Sequence, residues 1–530
     1  MKTTHNKKYY LLIILIATLS GCSDLIENPS RESEVLVPLA SGELKIQNAI
    51  QNDNKTAASD GRINLLYKHV LFENKLTGSL ETGHATAQIT KTINQNQTVN
   101  AGHFIFGQNQ NAVFQSENAY RRATFESIDV QISLQSDIGA PVIYTVSLPG
   151  FTKADKPVKF EFEADDTSPQ TLTETLENVT ADLTGMDKKR LNSAVVTLTA
   201  KASQSGPVTL SQGEEVNLEI SFTGGVLTFA QGRFKTQLHT AVSSTAFDVF
   251  KNFQSGKLSP QNAALDITVE NYTGLFSTVH FNEIAAVKKA QNQKMALSGN
   301  ITQNPINLAP ASFDQTSQTP ENPGKFTTQL TAQNSNIKAF LEILPDAFEQ
   351  NTQVTINPRG NITAAHDFLH RNYGIVTRGE LSLPLVLAAK NLVLTENYTF
   401  DLPKEEREKT DRIAGGKLLL NTQNSYPLSA VIQGYIINEA GMVIDSLFAA
   451  PQIVRSAAVD EDTRRVTESA AQQFEILLTE TKIDALYDAR EITFQLTLNT
   501  PDNETPVPFY ENYGMRLNLA GDLIYELDLY

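Results

Sequence analysis

The sequence predicts a mainly β protein, built as two to three antiparallel sandwich-like or barrel-like domains with a few short helices. Three observations carry that prediction. Apolar residues recur with a period of two, turn-forming residues punctuate them at short intervals, and helical periodicity is confined to three brief segments.

The alternation is clearest in four places. Val158, Phe160 and Phe162 alternate with Lys159, Glu161 and Glu163. Val216, Leu218, Ile220 and Phe222 alternate with Asn217, Glu219 and Ser221, and Leu265, Ile267 and Val269 alternate with Asp266, Thr268 and Glu270. Phe494, Leu496 and Leu498 alternate with Gln495, Thr497 and Asn499. Successive strand side chains point to opposite faces, so each segment offers one buried and one wet face, as in an antiparallel sheet. Clusters of Gly, Asn, Pro and Ser between them supply turns. The helical segments are Ser244 to Phe253, with Phe247, Phe250 and Phe253; Asn336 to Leu344, stopped by Pro345; and Thr481 to Ala489, with Ile483, Leu486 and Tyr487. Their apolar stripes are read as core contacts.

Three stretches share a loose pattern of strand, polar turn and strand: Asp129 to Leu148, Leu265 to Phe281 and Lys417 to Ile436. Their domain-sized spacing hints at related β-domains. The expected division is a leader at 1–21, a polar tether at 22–59, and β-domains at 60–232, 233–403 and 404–530. Pro403 to Thr410 is a charged linker or short helix, and Ala311 to Lys325 is a long loop within the middle domain.

The first residues read as an export signal. Lys2, Lys7 and Lys8 form a positive region, and Tyr9 to Leu19 is an apolar stretch too short to span a bilayer comfortably. Leu19-Ser20-Gly21-Cys22 follows and resembles the bacterial lipobox, where small residues precede a cysteine that is acylated on sulfur. The resemblance makes Cys22, the single cysteine, a lipidation site carrying palmitate-like chains. Acyl chains contribute roughly 0.8 kcal/mol per buried methylene, so two or more hold a protein stably on a membrane. The following Ser23-Asp24-Leu25-Ile26-Glu27 fits transfer to an outer membrane and looks like the lipoprotein export signal of Bacteroidetes. An ordinary polar tether is the alternative, so both the cell surface and the periplasmic face stay open.

Composition narrows the function. A length of 530 residues with 40% hydrophobic content supports several cores. A formal net charge of -16 opposes nucleic-acid binding, which needs a basic face, and opposes broad contact with anionic headgroups. Tryptophan is absent, which weakens a carbohydrate-stacking role, although Tyr and Phe can stack in its place.

The sequence contains no nucleophile elbow, zinc-protease helix motif, phosphate loop or dinucleotide fingerprint. His366 and His370 stand at the i, i+4 spacing of zinc ligands on a helix, but without the glutamate that would act as base. Two histidines with no ligand role are the preferred reading. Asp460-Glu461-Asp462 and Asp165-Asp166 offer carboxylates without the spacing of a calcium loop, and read as solvated loops. Asp445-Ser446-Leu447 matches the short O-glycosylation acceptor pattern used by Bacteroidetes. At the end of the chain Leu523, Tyr525, Leu527 and Leu529 alternate before Tyr530, like the last strand of a membrane barrel. A charged outward face, as at Lys159, Glu161 and Glu219, would be costly in lipid. A closing strand of a non-membrane domain is therefore expected.

A wider set of short motifs runs along the chain. Val37-Pro38-Leu39-Ala40 and Asp60-Gly61-Arg62-Ile63-Asn64-Leu65 come first. Asn336-Ile337, Leu344-Pro345, Asn357-Pro358-Arg359-Gly360 and Leu383-Pro384-Leu385 follow, then Leu419 to Asp445, ending in Gly441-Met442-Val443-Ile444-Asp445-Ser446-Leu447. Together these resemble a large, poorly characterised group of β-rich Bacteroidetes outer-membrane lipoproteins. The resemblance implies outer-membrane lipoprotein status and β-domains. It brings no enzyme activity and no site residues.

The expected function is therefore a non-enzymatic binding or scaffolding subunit of an outer-membrane complex. It would meet the membrane through Cys22 and would have a protein partner, no nucleic acid, no cofactor and no metal. A glycan-binding module for polysaccharide uptake and a lipid-binding β-tube are the alternatives.

Overall fold

In the computed structural model the alternating segments become strands of antiparallel sheets, one of which is nearly closed into a barrel. The structure describes residues 31–45, 55–57, 60–75, 80–164, 168–250, 253–399, 412–500 and 505–527. Cys22 and its flanking Ser23, Asp24 and Glu27 lie outside the described residues, as do Asp165-Asp166, the 403–410 run, Leu529 and Tyr530.

One pattern of eight strands occurs three times. In the inner unit the strands are Ala85–Thr92, Phe104–Val113, Ala119–Ser136, Val142–Lys153, Lys156–Ala164, Gln170–Asp182, Ser193–Ala202 and Glu215–Arg233. The first, eighth, third and sixth pair in that order to make one wall. The second, seventh, fourth and fifth make the other. Short pairing of Thr180–Ala181 with Phe151–Thr152 joins the walls. This order is the double Greek key of a jelly roll. Phe114, Phe125, Phe151 and Phe222 pack inside as a ring of four, with neighbouring centroids 5.6 to 6.2 Å apart. Each such ring contributes about 1.5–3 kcal/mol by leaving water.

The middle unit repeats the order with Ile63–Lys75, Gln237–Ala246, Ala264–Asn271, Ser277–Lys288, Gln293–Ala296, Gly324–Thr331, Ala347–Ile356 and Gly374–Pro384. The outer unit repeats it again with Arg31–Leu44, Val386–Thr399, Arg412–Asn424, Ser429–Asn438, Val443–Ser446, Ala470–Leu477, Ala489–Asn499 and Met515–Leu527. The units are nested. The whole inner roll lies between the first and second strands of the middle roll. The whole middle roll lies between the first and second strands of the outer one. Insertion at a loop whose ends lie close together costs the host sheet little.

The three stretches that share a sequence pattern fall at one structural position, the arch from third to fourth strand. In the middle roll the buried Asn271 donates from Nδ2 to the carbonyls of Leu275 and Ala309, both at 2.8 Å, and its Oδ1 accepts from the Thr273 amide. In the outer roll Asn424 does the same toward Leu428 and Arg455, both at 2.8 Å, and accepts from the Tyr426 amide. The inner roll uses Ser136 instead. Its Oγ accepts from the Ile138 amide and lies 2.7 Å from the Tyr144 hydroxyl.

Several expectations differ from this structure. The sheets do not follow the contiguous segments 60–232, 233–403 and 404–530, because each host roll takes its first strand from far upstream. Arg31–Leu44 is a strand and not part of a tether; the ladder skips a residue between Pro38 and Ala40, which accommodates the proline. Ser244 to Phe253 is the end of a strand followed by a 3₁₀ turn at Asp248–Phe250. Phe247, Phe250 and Phe253 repeat every three residues, the period of that helix type, and all three are buried. The other two helical segments form at Ile337–Glu342 and Glu480–Tyr487, and a short helix at Asn300–Gln303 joins them. The loop at 311–325 carries a small hairpin, Ser312–Phe313 with Pro320–Glu321.

Candidate functional site

Pairing registers place the three rolls end to end. In the outer roll Arg31 faces Leu527 and Arg412 faces Glu526, so these residues share one end. Leu44, Asn424 and Met515 share the opposite end. There the rings of Tyr426, Phe509 and Tyr513 cluster, and the middle roll is joined through three backbone bonds. Ile63 donates to Phe509, Phe509 to Leu385, and Leu385 to Ile63, at 2.8 to 3.0 Å. The strand Ser255–Pro260, which leaves the middle roll, also pairs with the edge of Val386–Thr399 in the outer one.

The far end of the middle roll meets the inner roll. Asp367–His370 pairs with Phe229–Gly232 of the inner roll's last strand. Phe229, Phe313 and Phe368 form a small separate core across the junction. Gly274 is required beneath Phe368, since a Cβ there would lie 2.1 Å from the ring. Arg371 pairs with Glu126 at 2.7 Å, and Thr124 donates to Gln318 at 2.6 Å. Both junctions combine strand pairing with buried rings. The molecule is thus a rod with one end at Arg31 and the other at the inner roll's distal loops. Strands of about 13 residues at about 3.3 Å each put the two tips on the order of 100 Å apart.

The histidine pair falls at the inner–middle junction without forming a metal site. His366 precedes a strand rather than sharing a helical face with His370, and its ring lies 3.0 Å from the Arg121 guanidinium. His370 packs edge-on against Tyr373, and burial pushes its imidazole below the usual range. Burial likewise pushes the Asp367 carboxyl up. Among the described residues no group of three or more His, Cys, Asp or Glu is arranged to hold a metal.

The remaining candidates have local structural roles. Asp460 accepts from the amide and hydroxyl of Thr463, both at 2.8 Å, and these bonds hold its carboxyl below the usual range in a tight turn. Ser446 is half-buried and its hydroxyl donates to the Phe448 carbonyl, while Leu447 is buried, so the acceptor pattern is built into the sheet. Met515–Leu527 is an interior strand of the outer roll, paired on both sides, with Leu523 buried. No helix among the described residues is long and apolar enough to cross a membrane.

The interior offers limited room where a cavity is seen. In the middle roll, Leu71, Ile284, Phe340, Phe348 and Gln350 line a space of about 20 Å³. That is about one water and far less than an acyl chain needs. Lys288 is buried with its Nζ 3.3 Å from the Phe253 carbonyl, and burial pushes its amine down.

The two tips are therefore the surfaces of interest. At the distal tip the acidic and amide side chains are turn caps. Asn96 accepts from the Gln212 amide, Asp137 from that of Glu215, and Glu214 from that of Ser211. Phe104 is the one exposed Phe or Tyr among the described residues. At the Arg31 tip the hairpin joining the outer roll's fourth and fifth strands presents Met442, Val443 and Ile444 in the open. Sequence reasoning quoted these three residues but gave them no role. Their exposure depends on a turn geometry that apolar periodicity does not report.

No family model matches the chain, and no curated protein matches it. Among solved structures, a Parabacteroides distasonis protein described as secreted is 14% identical over 55% of this chain and 89% of its own, with a TM-score of 0.28. The STIV MCP is 10% identical over 56% of this chain and 96% of its own, at 0.10. The protein of Infectious Bursal Virus derived T=1 particles is 9% identical over 93% of this chain and 81% of its own, at 0.11. These likenesses are too slight to bear on function.

Proposed function

We propose that this chain is a lipid-anchored, surface-exposed outer-membrane protein that acts as a non-enzymatic binding or scaffolding subunit. It holds its inner jelly roll away from the bilayer for a protein partner. The observation that carries the proposal is the polarity of the rod. Cys22 lies just upstream of Arg31, and Arg31 sits at the tip opposite the middle and inner rolls. The nine residue steps from Cys22 to Arg31 reach at most about 32 Å. Acylation of Cys22 would keep the outer roll beside the membrane and put the inner roll on the order of 100 Å out. Rigid junctions favour such a spacer, because a partner would meet the inner roll at a defined height.

The glycan alternative called for a cluster of exposed Tyr and Phe, and Phe104 alone does not supply one. The lipid-tube alternative called for an apolar groove, and the cavity described in the middle roll, about one water in size, lends it no support.

Two measurements on the same cells test the proposal. Mass spectrometry of the N-terminal peptide should find acyl chains on Cys22. Pull-down from detergent-solubilised outer membranes should recover a stoichiometric partner, lost when the inner roll's distal loops carry bulky tags. Recovery of an acylated protein with no partner would reject the scaffold role while leaving the anchor intact.

A further inference from the structure

We infer that the Met442-Val443-Ile444 hairpin is a second membrane contact, inserting its apolar tip into the interface beside the N-terminal anchor. The inference rests on the anchored orientation proposed above and adds a site to it.

The hairpin is fixed by its turn. The Asn438 amide donates to the Met442 carbonyl at 3.0 Å, and Asn438 Oδ1 accepts from the amides of Ala440 and Met442, both at 3.0 Å. The Gly441 amide donates to the Asn438 carbonyl at 2.9 Å, and Gly441 has a φ of 75°, which favours glycine. Just beyond the tip the strand is pinned. Asp445 pairs with Lys482 at 3.1 Å, and Leu447 packs where a Cβ on Gly434 would lie 2.4 Å from its Cδ1.

A strand sends successive side chains to opposite faces, so three apolar residues in a row leave no face polar. Met442 and Val443 are each 59% exposed and Ile444 is 38% exposed. The hydrogen bonds of the turn hold these residues out from the body.

Position selects the bilayer as the occupant. Asn438 pairs with Ala489, two residues past Tyr487, whose hydroxyl accepts from the Ile413 amide at 3.3 Å. Ile413 follows Arg412 at the Arg31 end. The tip therefore projects from the end that an acyl group on Cys22 would hold within about 32 Å of the membrane. The side chains also suit lipid. Apolar residues without an aromatic or arginine anchor lack the usual centre of a protein–protein contact. Glu439, exposed in the turn, makes a zwitterionic surface the better host than an anionic one.

The test uses the acylated full-length protein in phosphatidylcholine–phosphatidylethanolamine vesicles. With Cys22 thioether-linked, Val443→Cys supplies the free thiol for an environment-sensitive fluorophore. Ile453→Cys, exposed and nearer the opposite end of the outer roll, is the control. Bromine-labelled acyl chains should quench the probe at 443 several-fold more than at 453. Equal quenching at the two positions would overturn the inference. A second arm separates it from the state of Cys22. The mature chain with Cys22→Ser and an N-terminal histidine tag, held on nickel-chelating vesicles, should show the same contrast. Loss of the contrast there would overturn the hairpin contact even if Cys22 proves acylated. Its persistence with an unacylated native Cys22 would reject the lipid anchor alone.

Discussion

The middle and outer rolls close the same arch with the same residue, whereas the inner roll closes it with different chemistry. Asn271 and Asn424 each use one buried amide to satisfy two carbonyls and one backbone amide. Ser136 caps one amide and shares its hydroxyl with Tyr144, whose phenol burial pushes up to about 12. The host rolls must hold an arch while carrying an inserted domain and a junction nearby. In the middle roll the Asn271 arch carries Gly274, on which Phe368 of the inner–middle junction rests. The amide thus ties the arch to a neighbouring loop, through Ala309 or Arg455, which a hydroxyl cannot do with its single donor.

The comparison breaks most severely if the amide becomes a carboxylate. Asn424→Asp would face two carbonyls with an acceptor, and should cost about 3–5 kcal/mol at neutral pH, read by urea unfolding. The buried carboxyl's folded-state pKa would be raised, so the penalty should shrink as pH falls toward about 4 and grow as pH rises. A penalty independent of pH would mean that the site is open to water. Asn271→Ala and Asn424→Ala should each cost about 2–3 kcal/mol, since buried carbonyls and an amide lose their partner. Near-equal values in the two rolls would sharpen the equivalence, and a value near zero in either would break it.

Ser136→Ala should be milder, about 1 kcal/mol, and should couple to Tyr144→Phe in a double-mutant cycle. Because the Tyr144 pKa is raised on folding, its contribution is present below about pH 10 and is lost as pH climbs toward 12. Tyr144→Phe should remove that alkaline loss. The smallest effect belongs to His370. Its folded-state pKa is depressed, so its contribution is present above the ordinary value near 6.5 and is lost as pH falls below it. His370→Gln should flatten the acid limb of a stability–pH curve.

Strand content was legible in the sequence because alternation is local. Val216 to Phe222, Leu265 to Val269 and Phe494 to Leu498 are strands with the expected inward residues buried. The repeated arch was visible too, in Asn271-Tyr272-Thr273-Gly274-Leu275 and Asn424-Ser425-Tyr426-Pro427-Leu428. The nesting was not legible. A strand's pattern states that it has a partner but not where that partner lies, and Arg31–Leu44 finds its partner at Met515–Leu527. Pro38 further disguises that first strand. The i, i+4 spacing of His366 and His370 would place them together only on a helix, and Asp367–His370 is extended. The hairpin tip was present as a motif without a role, since exposure is set by where a turn points.

Amide hydrogen exchange across residues 34–44 tests the nested architecture most directly. If the first strand closes the outer roll, these amides should exchange as slowly as those of 515–524 in the partner strand. Exchange within seconds, at the rate of an unstructured tether, would contradict the pairing and with it the rod, its polarity and the placement of the hairpin.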